Sequence, residues 1–456
     1  MDYGIITLLP IVVVIAVALK TKRTLEPLII GTILTYIIVD GSSFAQGWMD
    51  AFFRVATNRD HQWVFMVCAL FGSLITLLGA SHGALGFSRW LEKLCRGPKT
   101  TLIVTWVMGI LIFVDDYLNC LAVGAAVRPL SDEYKISREM LSYIINSTGV
   151  VVCAIVPIST WGAFMGGLMG SSGLDGGLSV FSAYTHAIPY MFYCIIAVVT
   201  VPLVAFGILP MFKPMKAAET RAVETGEVLS PESRAMLVEG LEDEKKLESK
   251  KCRAFNFIVP ILSVAVFTIW LDDMVMALFI SIVICFALYL PQRLMNVKGF
   301  VDTVVKGLTD MFSVMVLIIL TYMLIDVNDM LGLNDLVVDL CRTSVNPKLI
   351  PFIIFVGIGL LSFASGSFWG LAGIAFPIVG PVCESLGLNP FLLSGALISA
   401  IAFGGHICMY SDTVILTSAS TQASNTDYFK TSFPIIMAYP FAIGAILYLI
   451  AGFLMC

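Results

Sequence analysis

Charge is what this sequence has least of. Charged residues fill 13 % of its 456 positions, about half the share found in soluble domains. Hydrophobic residues reach 58 % and the mean hydropathy is +0.92. A soluble fold of that composition would lack the polar groups to cover its surface. No basic tract interleaved with aromatics is present and the net charge is −5, so no nucleic-acid partner is expected. Ligand-spaced cysteines are missing as well. The eleven cysteines sit mostly inside apolar runs, as Cys68, Cys194 and Cys285 do, and read as small buried apolar residues, not as disulfides or a zinc site. The first apolar run has no basic flank and no small-residue cleavage site, so no cleavable signal is expected.

What the chain does have is apolar runs of about 15–22 residues, the length that crosses a bilayer core. They lie at roughly 5–19, 25–40, 62–80, 139–165 and 188–209, then at 255–270, 274–290, 311–327, 390–410 and 432–454. The lipid bilayer is therefore the expected partner. Between the two sets, residues 212–254 carry 9 Lys/Arg and 9 Asp/Glu. This stretch reads as a solvated linker, partly helical around Pro231–Lys251. It divides the chain into 1–211, 212–254 and 255–456. Two further apolar pairs fit no simple span. Residues 100–114 and 117–130 flank Asp115-Asp116, and 350–364 and 368–383 flank Ser365-Gly366-Ser367. Apolar arms joined by a polar tip suit helical hairpins that enter the membrane and return.

With the N-terminus outside, 23 of the 27 Lys and Arg fall on the inner side, and only Arg54, Arg59, Arg342 and Lys348 fall outside. That bias predicts a multi-pass plasma (inner) membrane protein with both termini outside and the linker cytoplasmic. Each half then runs span, span, amphipathic stretch, span, amphipathic stretch, hairpin, span, span. The amphipathic stretches are about 43–60 and 84–97, then 297–309 and 330–345. Five spans per half place the second half in the opposite orientation. At an offset of 252, Leu141, Ser142, Ser147, Ile155 and Ser159 match Leu393, Ser394, Ser399, Ile407 and Ser411. The predicted fold is an all-α polytopic membrane protein: an inverted repeat of five spans plus one re-entrant helical hairpin each, with interrupted helices. Such repeats favour a secondary transporter.

Polar groups inside apolar sequence mark the candidate site, because a carboxylate at mid-span costs about 2.5–3.5 kcal/mol even on a lenient scale. Asp115 and Asp116 lie in LIFVDDYLNC. One is expected to cap the following helix. The other, pointing about 100° away, is expected to face a cavity and bind Na⁺ or carry a proton. Asn119 offers a neutral oxygen about one turn beyond. At the second tip, Ser365 and Ser367 offer oxygens and Trp369 a wall. Two interrupted helices follow the hairpins. In the first, Pro157 removes a backbone donor and Ser159 and Thr160 satisfy freed groups. In the second, Gly404-Gly405 precede His406, Ser411, Asp412 and Thr413. His406 suits either a proton carrier or a buried neutral histidine. Asp116, Asn119 and Asp412 are the candidate Na⁺ ligands.

The segments FVDDYLN, VRPLSDEYKISREMLSYIINST and PISTW, with FGGHICMYSDTVILTSAS, resemble the NhaC-type sodium/proton antiporter family, which includes malate/lactate antiporters. The resemblance covers most of the chain. It implies Na⁺ and/or H⁺ as coupling ion, no organic cofactor, and ion or substrate contacts at Asp115, Asp116, Asn119, Ser159, Thr160, Ser365, Ser367, Ser411, Asp412 and Thr413. One departure stands out. Where the family pattern reads G-D-H-C-S-P-I-S-D-T, Gly405 replaces the Asp and Ile407 to Tyr410 replace C-S-P-I. Losing that carboxylate removes one cation ligand or proton carrier. It leaves room for an organic substrate near Trp161, Trp369 and Tyr410.

The expected function is alternating-access transport of a cation or small organic solute. The alternative is an organic acid or amine carrier in place of Na⁺/H⁺ antiport. An intramembrane aspartyl enzyme would need two carboxylates converging from separate spans, with Asp116 and Asp412 as candidates. The adjacent aspartates and the repeat argue against it, so no enzyme is expected. A homodimer is compatible with the elements outside the hairpins forming a scaffold.

Overall fold

The computed structural model of the protein describes residues 6–7, 9–21, 25–83, 86–87, 94–237, 253–271, 273–332, 346–366, 368–409 and 411–455. Helices and turns account for all regular structure among them. The first group is α1 (Leu9–Thr21), α2 (Leu25–Asp40), α3 (Phe44–Thr57) and α4 (Arg59–Ala80). Next come α5 (Pro98–Leu111), α6 (Asp116–Glu133), α7 (Arg138–Ile155), α8 (Thr160–Ser171), α9 (Val180–Ala187) and α10 (Phe192–Ala205). The charged segment contributes α11 (Lys213–Thr225) and α12 (Pro231–Leu237). A similar order then returns in α13 (Phe255–Leu271), α14 (Met274–Tyr289), α15 (Val297–Asp310), α16 (Phe312–Leu331), α17 (Ile350–Ser365), α18 (Phe368–Leu386), α19 (Pro390–Ile407) and α20 (Asp412–Thr421). The chain closes with α21 (Asn425–Ile436), a π-helical turn at Met437–Phe441 and α22 (Ala442–Met455).

Helices of the two halves pack on one another. Helix α4 packs on α15 and α16 on α3; α6 packs on α20 and α18 on α8. At the centre, α7 and α19, each 18 residues long, touch one another and are buried along nearly their whole length. Small residues on both, among them Ser142, Ser147, Gly149, Ser399 and Gly404, let the helices around them approach closely. The α4–α15 crossing is closer still. A Cβ on Gly307 would stand 2.3 Å from the Gly72 carbonyl oxygen, and Ser73 donates to the Val304 carbonyl at 3.0 Å.

Among the described residues, seven helical stretches are long and apolar enough to cross a membrane, or nine if two bent pairs each count as one. The first bent pair lies where an interrupted helix is expected, at Pro157 in the apolar run over 139–165. Pro157, with Val156 and Ser159 extended, breaks it between α7 and α8 with a 41° bend. The second corrects 188–209: the chain bends 60° at Met191, so the apolar run is α10 preceded by a separate turn of helix. The first hairpin keeps the short arm expected of it and the second does not. Helix α5 has 14 residues, about 21 Å at the standard rise, too short to span. The second pair, Pro347–Ser365 and Phe368–Leu386, is long enough to cross as two spans. Either way the chain returns to the side it left, so the lysine and arginine count is unaffected. The amphipathic stretches at 84–97 and 330–345 lie largely outside the described residues, as does 238–252 of the linker.

The described part of the linker keeps an exposed face and docks the other on the membrane helices. Helix α11 buries Met215, Ala218 and Ala222, and its Glu219 accepts hydrogen bonds from the Ser137 amide (3.0 Å) and hydroxyl (2.6 Å) at the start of α7. Arg221 donates through Nη2 to both carboxylate oxygens of buried Glu139 at 2.9 Å. Ser230 and Ser233 both donate to Asp427 of α21, and Ser233 receives the Ser424 amide. Burial pushes the Glu219 carboxyl above its ordinary value, while the two Ser137 donors favour the carboxylate. Glu219 and Arg221 gave no sign of docking because their partners, Ser137 and Glu139, lie 82 positions away in sequence.

Candidate functional site

Each break is closed by a serine. Ser159 donates its hydroxyl to the Cys153 carbonyl (2.6 Å), freed at the end of α7, and accepts the Gly162 amide at the start of α8. Ser411 repeats this, donating to the Gly405 carbonyl at 2.8 Å and accepting the Val414 amide. The Thr413 hydroxyl reaches the same carbonyl at 2.9 Å. A helix interrupted in the membrane leaves orphan carbonyls and amides, and these hydroxyls satisfy them.

The two aspartates separate as a cap and a second, differently directed carboxylate. Asp115 has extended backbone, caps α6 by accepting the Leu118 amide at 2.9 Å, and takes the Thr160 hydroxyl at 3.4 Å. Asp116, 1 % exposed, accepts the Trp161 indole N–H at 3.1 Å through Oδ2, while its Oδ1 has no hydrogen-bond partner among the described residues. Asn119 is wholly buried. Its amide donates to the carbonyls of Gly109 (2.6 Å) and Ile112 (2.9 Å), which end α5, and its Oδ1 is likewise unpartnered. Two buried oxygens on successive turns of one helix are thus left over, the kind of donor a hard cation takes.

The second half meets this tip. Trp161 stacks on Phe368 at 5.1 Å and lies 5.5 Å from Trp369, whose ring also meets Phe164 edge-on. The Tyr117 hydroxyl donates to Asp412 Oδ2 at 2.9 Å, joining the α6 tip to the first residue of α20. Asp115, Tyr117, Trp369 and Asp412 line one cavity of about 780 Å³, together with Gly72, Thr76 and Gly79 of α4 and Thr303, Lys306 and Asp310 of α15. Among the candidates, Ser159, Ser411 and Thr413 are wholly buried and not part of this lining. Ser365 is buried and donates to the Ser362 carbonyl at 3.3 Å. Ser367 and Tyr410 lie outside the described residues.

His406 is apart from that cavity. Its Nε2 is 2.7 Å from Ser147 Oγ and its Nδ1 2.7 Å from the Tyr193 hydroxyl, and Asn146 donates to its carbonyl at 2.7 Å. Ser147, Tyr193, Asn146 and Tyr428 were not legible as its partners, because each lies more than twenty positions from it in sequence. Tyr117, Lys306 and Asp310 were also missed. Their signals were there: Tyr117 directly follows the aspartate pair, and Lys306 and Asp310 continue a four-residue charge spacing from Lys298 and Asp302. No group of three or more His, Cys, Asp or Glu gathers as a metal site among the described residues.

The profile of the Na⁺/H⁺ antiporter family matches residues 177–453. The chain belongs to that family. An uncharacterized protein of Haemophilus influenzae is 24 % identical over 491 residues, covering 98 % of this chain and 91 % of its own length. The malate-2H(+)/Na(+)-lactate antiporter of Bacillus subtilis is 25 % identical over 201 residues, 43 % of this chain and 42 % of that protein. Two solved structures share the fold. The Alcanivorax borkumensis YdaH transporter aligns with a TM-score of 0.61 at 11 % identity, over 90 % of this chain and 89 % of its own. Neisseria gonorrhoeae MtrF, from a class of antimetabolite efflux pumps, aligns with a TM-score of 0.52 at 12 % identity, over 90 % and 83 %. This antiporter-family chain is therefore an integral, multi-pass membrane protein with a transporter fold. The profile match includes α18, α19 and α20 but not the Asp115–Asp116 tip, so the first hairpin's role rests on its geometry.

Proposed function

We propose that the chain is a secondary active transporter in which Na⁺ and/or H⁺ drives a small organic solute by alternating access, its halves acting as inverted repeats. The supporting observation is the cavity. At about 780 Å³ it has the size of small-molecule sites, and it gathers Asp115, Tyr117, Trp369 and Asp412 from both hairpin tips and the second helix break. A bare cation needs neither that volume nor an aromatic wall. The unpartnered oxygens of Asp116 and Asn119, one residue and one turn behind Asp115, suit the coupling ion. Purified protein in liposomes, with Na⁺ and pH gradients imposed separately against organic acids and amines, is the test. Gradient-driven movement of an organic solute is expected. Full-rate Na⁺/H⁺ exchange with every organic solute left behind would sink this reading.

The charge bias supports both termini outside and the linker within. In an otherwise Cys-free variant, a reporter cysteine at exposed Glu224 should escape an impermeant thiol reagent in sealed right-side-out vesicles. Labelling there would overturn the orientation and the inversion of the repeats with it.

A further inference from the structure

Four charged side chains line the cavity: Asp115, Asp310, Asp412 and Lys306. Asp115 is buried and already engaged by Leu118 and Thr160. Asp412 is exposed and carries the Tyr117 hydroxyl on one oxygen only. Lys306 and Asp310, one turn apart on α15, are exposed, and neither forms an ion pair among the described residues. The rotation of α15 is set by Gly307, whose backbone presses on that of Gly72. With Gly307 so placed, Thr303, Lys306 and Asp310 take part in the cavity wall.

Resting on the reading of this cavity as the solute site, we propose that the solute is a small aminocarboxylate. Its ammonium sits at Asp412 against Tyr117 and Trp369, and its carboxylate meets Lys306. Asp412 is the lining carboxylate that combines exposure, placement on the interrupted helix and adjacent aromatic faces, which together attract an ammonium group. Among the described residues, Lys306 is the one cationic side chain in the lining. A dicarboxylate would bring two negative charges to that lysine and to three aspartates. A simple amine would leave Lys306 without a counter-charge. A solute bearing both charges adds none to the site, so the surplus carboxylates are left to attract the coupling cation.

Binding to the purified full chain in Na⁺ buffer, measured by calorimetry, tests this. The probes are the α-amino acids, the methyl ester and N-acetyl derivative of each one that binds, malate, and ethylamine. An amino acid is expected to bind, with its ester and its N-acetyl form each weaker by about tenfold or more, the effect of losing a hydrogen bond to a charged group. Lys306→Gln should weaken the amino acid by a similar factor while leaving the ester at its wild-type affinity, and Lys306→Arg should recover most of the loss. Asp412→Asn should weaken the amino acid and spare the N-acetyl form. Malate or ethylamine binding as tightly as any amino acid would overturn the proposal, as would Lys306→Gln binding amino acids like wild type. Those results leave organic-solute transport standing. If no organic probe binds while liposomes exchange Na⁺ for H⁺, the solute site itself falls.

Discussion

Asp116→Asn is expected to give well-folded protein that no longer couples, whereas Asp115→Ala is expected to lower the yield of folded protein. The two residues are adjacent and their surroundings are opposite. Asp115 caps α6 and holds the Thr160 hydroxyl. Removing a cap costs about 0.5–2 kcal/mol, and here it also frees a contact between the first hairpin and the first break. Asp116 gives one oxygen to the Trp161 indole, a bond that an Asn carbonyl can accept. Only the charge is lost, and with it the unpartnered oxygen's capacity to hold Na⁺ or a proton. The checks are the monodisperse fraction of each variant by size exclusion and its Na⁺ and pH dependence in liposomes. Wild-type ion dependence in Asp116→Asn would remove this residue from the coupling mechanism.

Gly405→Asp is expected to destabilise the protein without tightening Na⁺ binding, although the family pattern has Asp there. Pattern alone would count that Asp among the ligands. The fold argues otherwise. Gly405 lies within α19, outside the left-handed region, and a Cβ on it would stand 3.3 Å from Val150 Cγ1 and 3.4 Å from Phe368 Cδ1. Gly405→Ala is therefore accommodated by a shift of a few tenths of an ångström and should fold and transport. An Asp would place its carboxylate from that Cβ between two apolar side chains. An uncompensated buried ion costs several kcal/mol, of order 3–5 in measured cases. Thermal unfolding of the Gly, Ala and Asp forms, each with and without Na⁺, checks this. A Gly405→Asp protein that Na⁺ stabilises well beyond wild type would show that the lost carboxylate was a ligand position after all.

Where sequence reasoning succeeded, the signal was local. A pair of aspartates amid apolar residues announces a helix start, and two serines beside a proline or paired glycines announce a broken helix. The division of labour within Asp115-Asp116 follows from the 100° step between neighbours. Where it failed, the partner was distant or the run was uniform. Glu139 is explained only by Arg221, and Lys306 shares a cavity with Asp412 across more than a hundred positions. Met191 turns a continuous apolar run into a bend with no polar residue to betray it. Ser159, Ser411 and Thr413 are polar in apolar surroundings for the sake of the backbone carbonyls they satisfy, a role that hydropathy cannot tell from ligand binding.

The docked linker also bears on how the chain comes together during synthesis. Its contacts are of two ages. Arg221 meets Glu139 across 82 positions, so that pair can close once the first half has been made. Ser230 meets Asp427 across 197 positions, and Asp427 emerges only when nearly all the second half is already inserted. Chains are made at about 5–20 residues per second, so ten seconds or more separate the two events. During that interval the linker can be seated on α7 with its serines still waiting. The later half then arrives at a partner whose linker is already in place, and closing the serine contacts brings α21 against the start of α7.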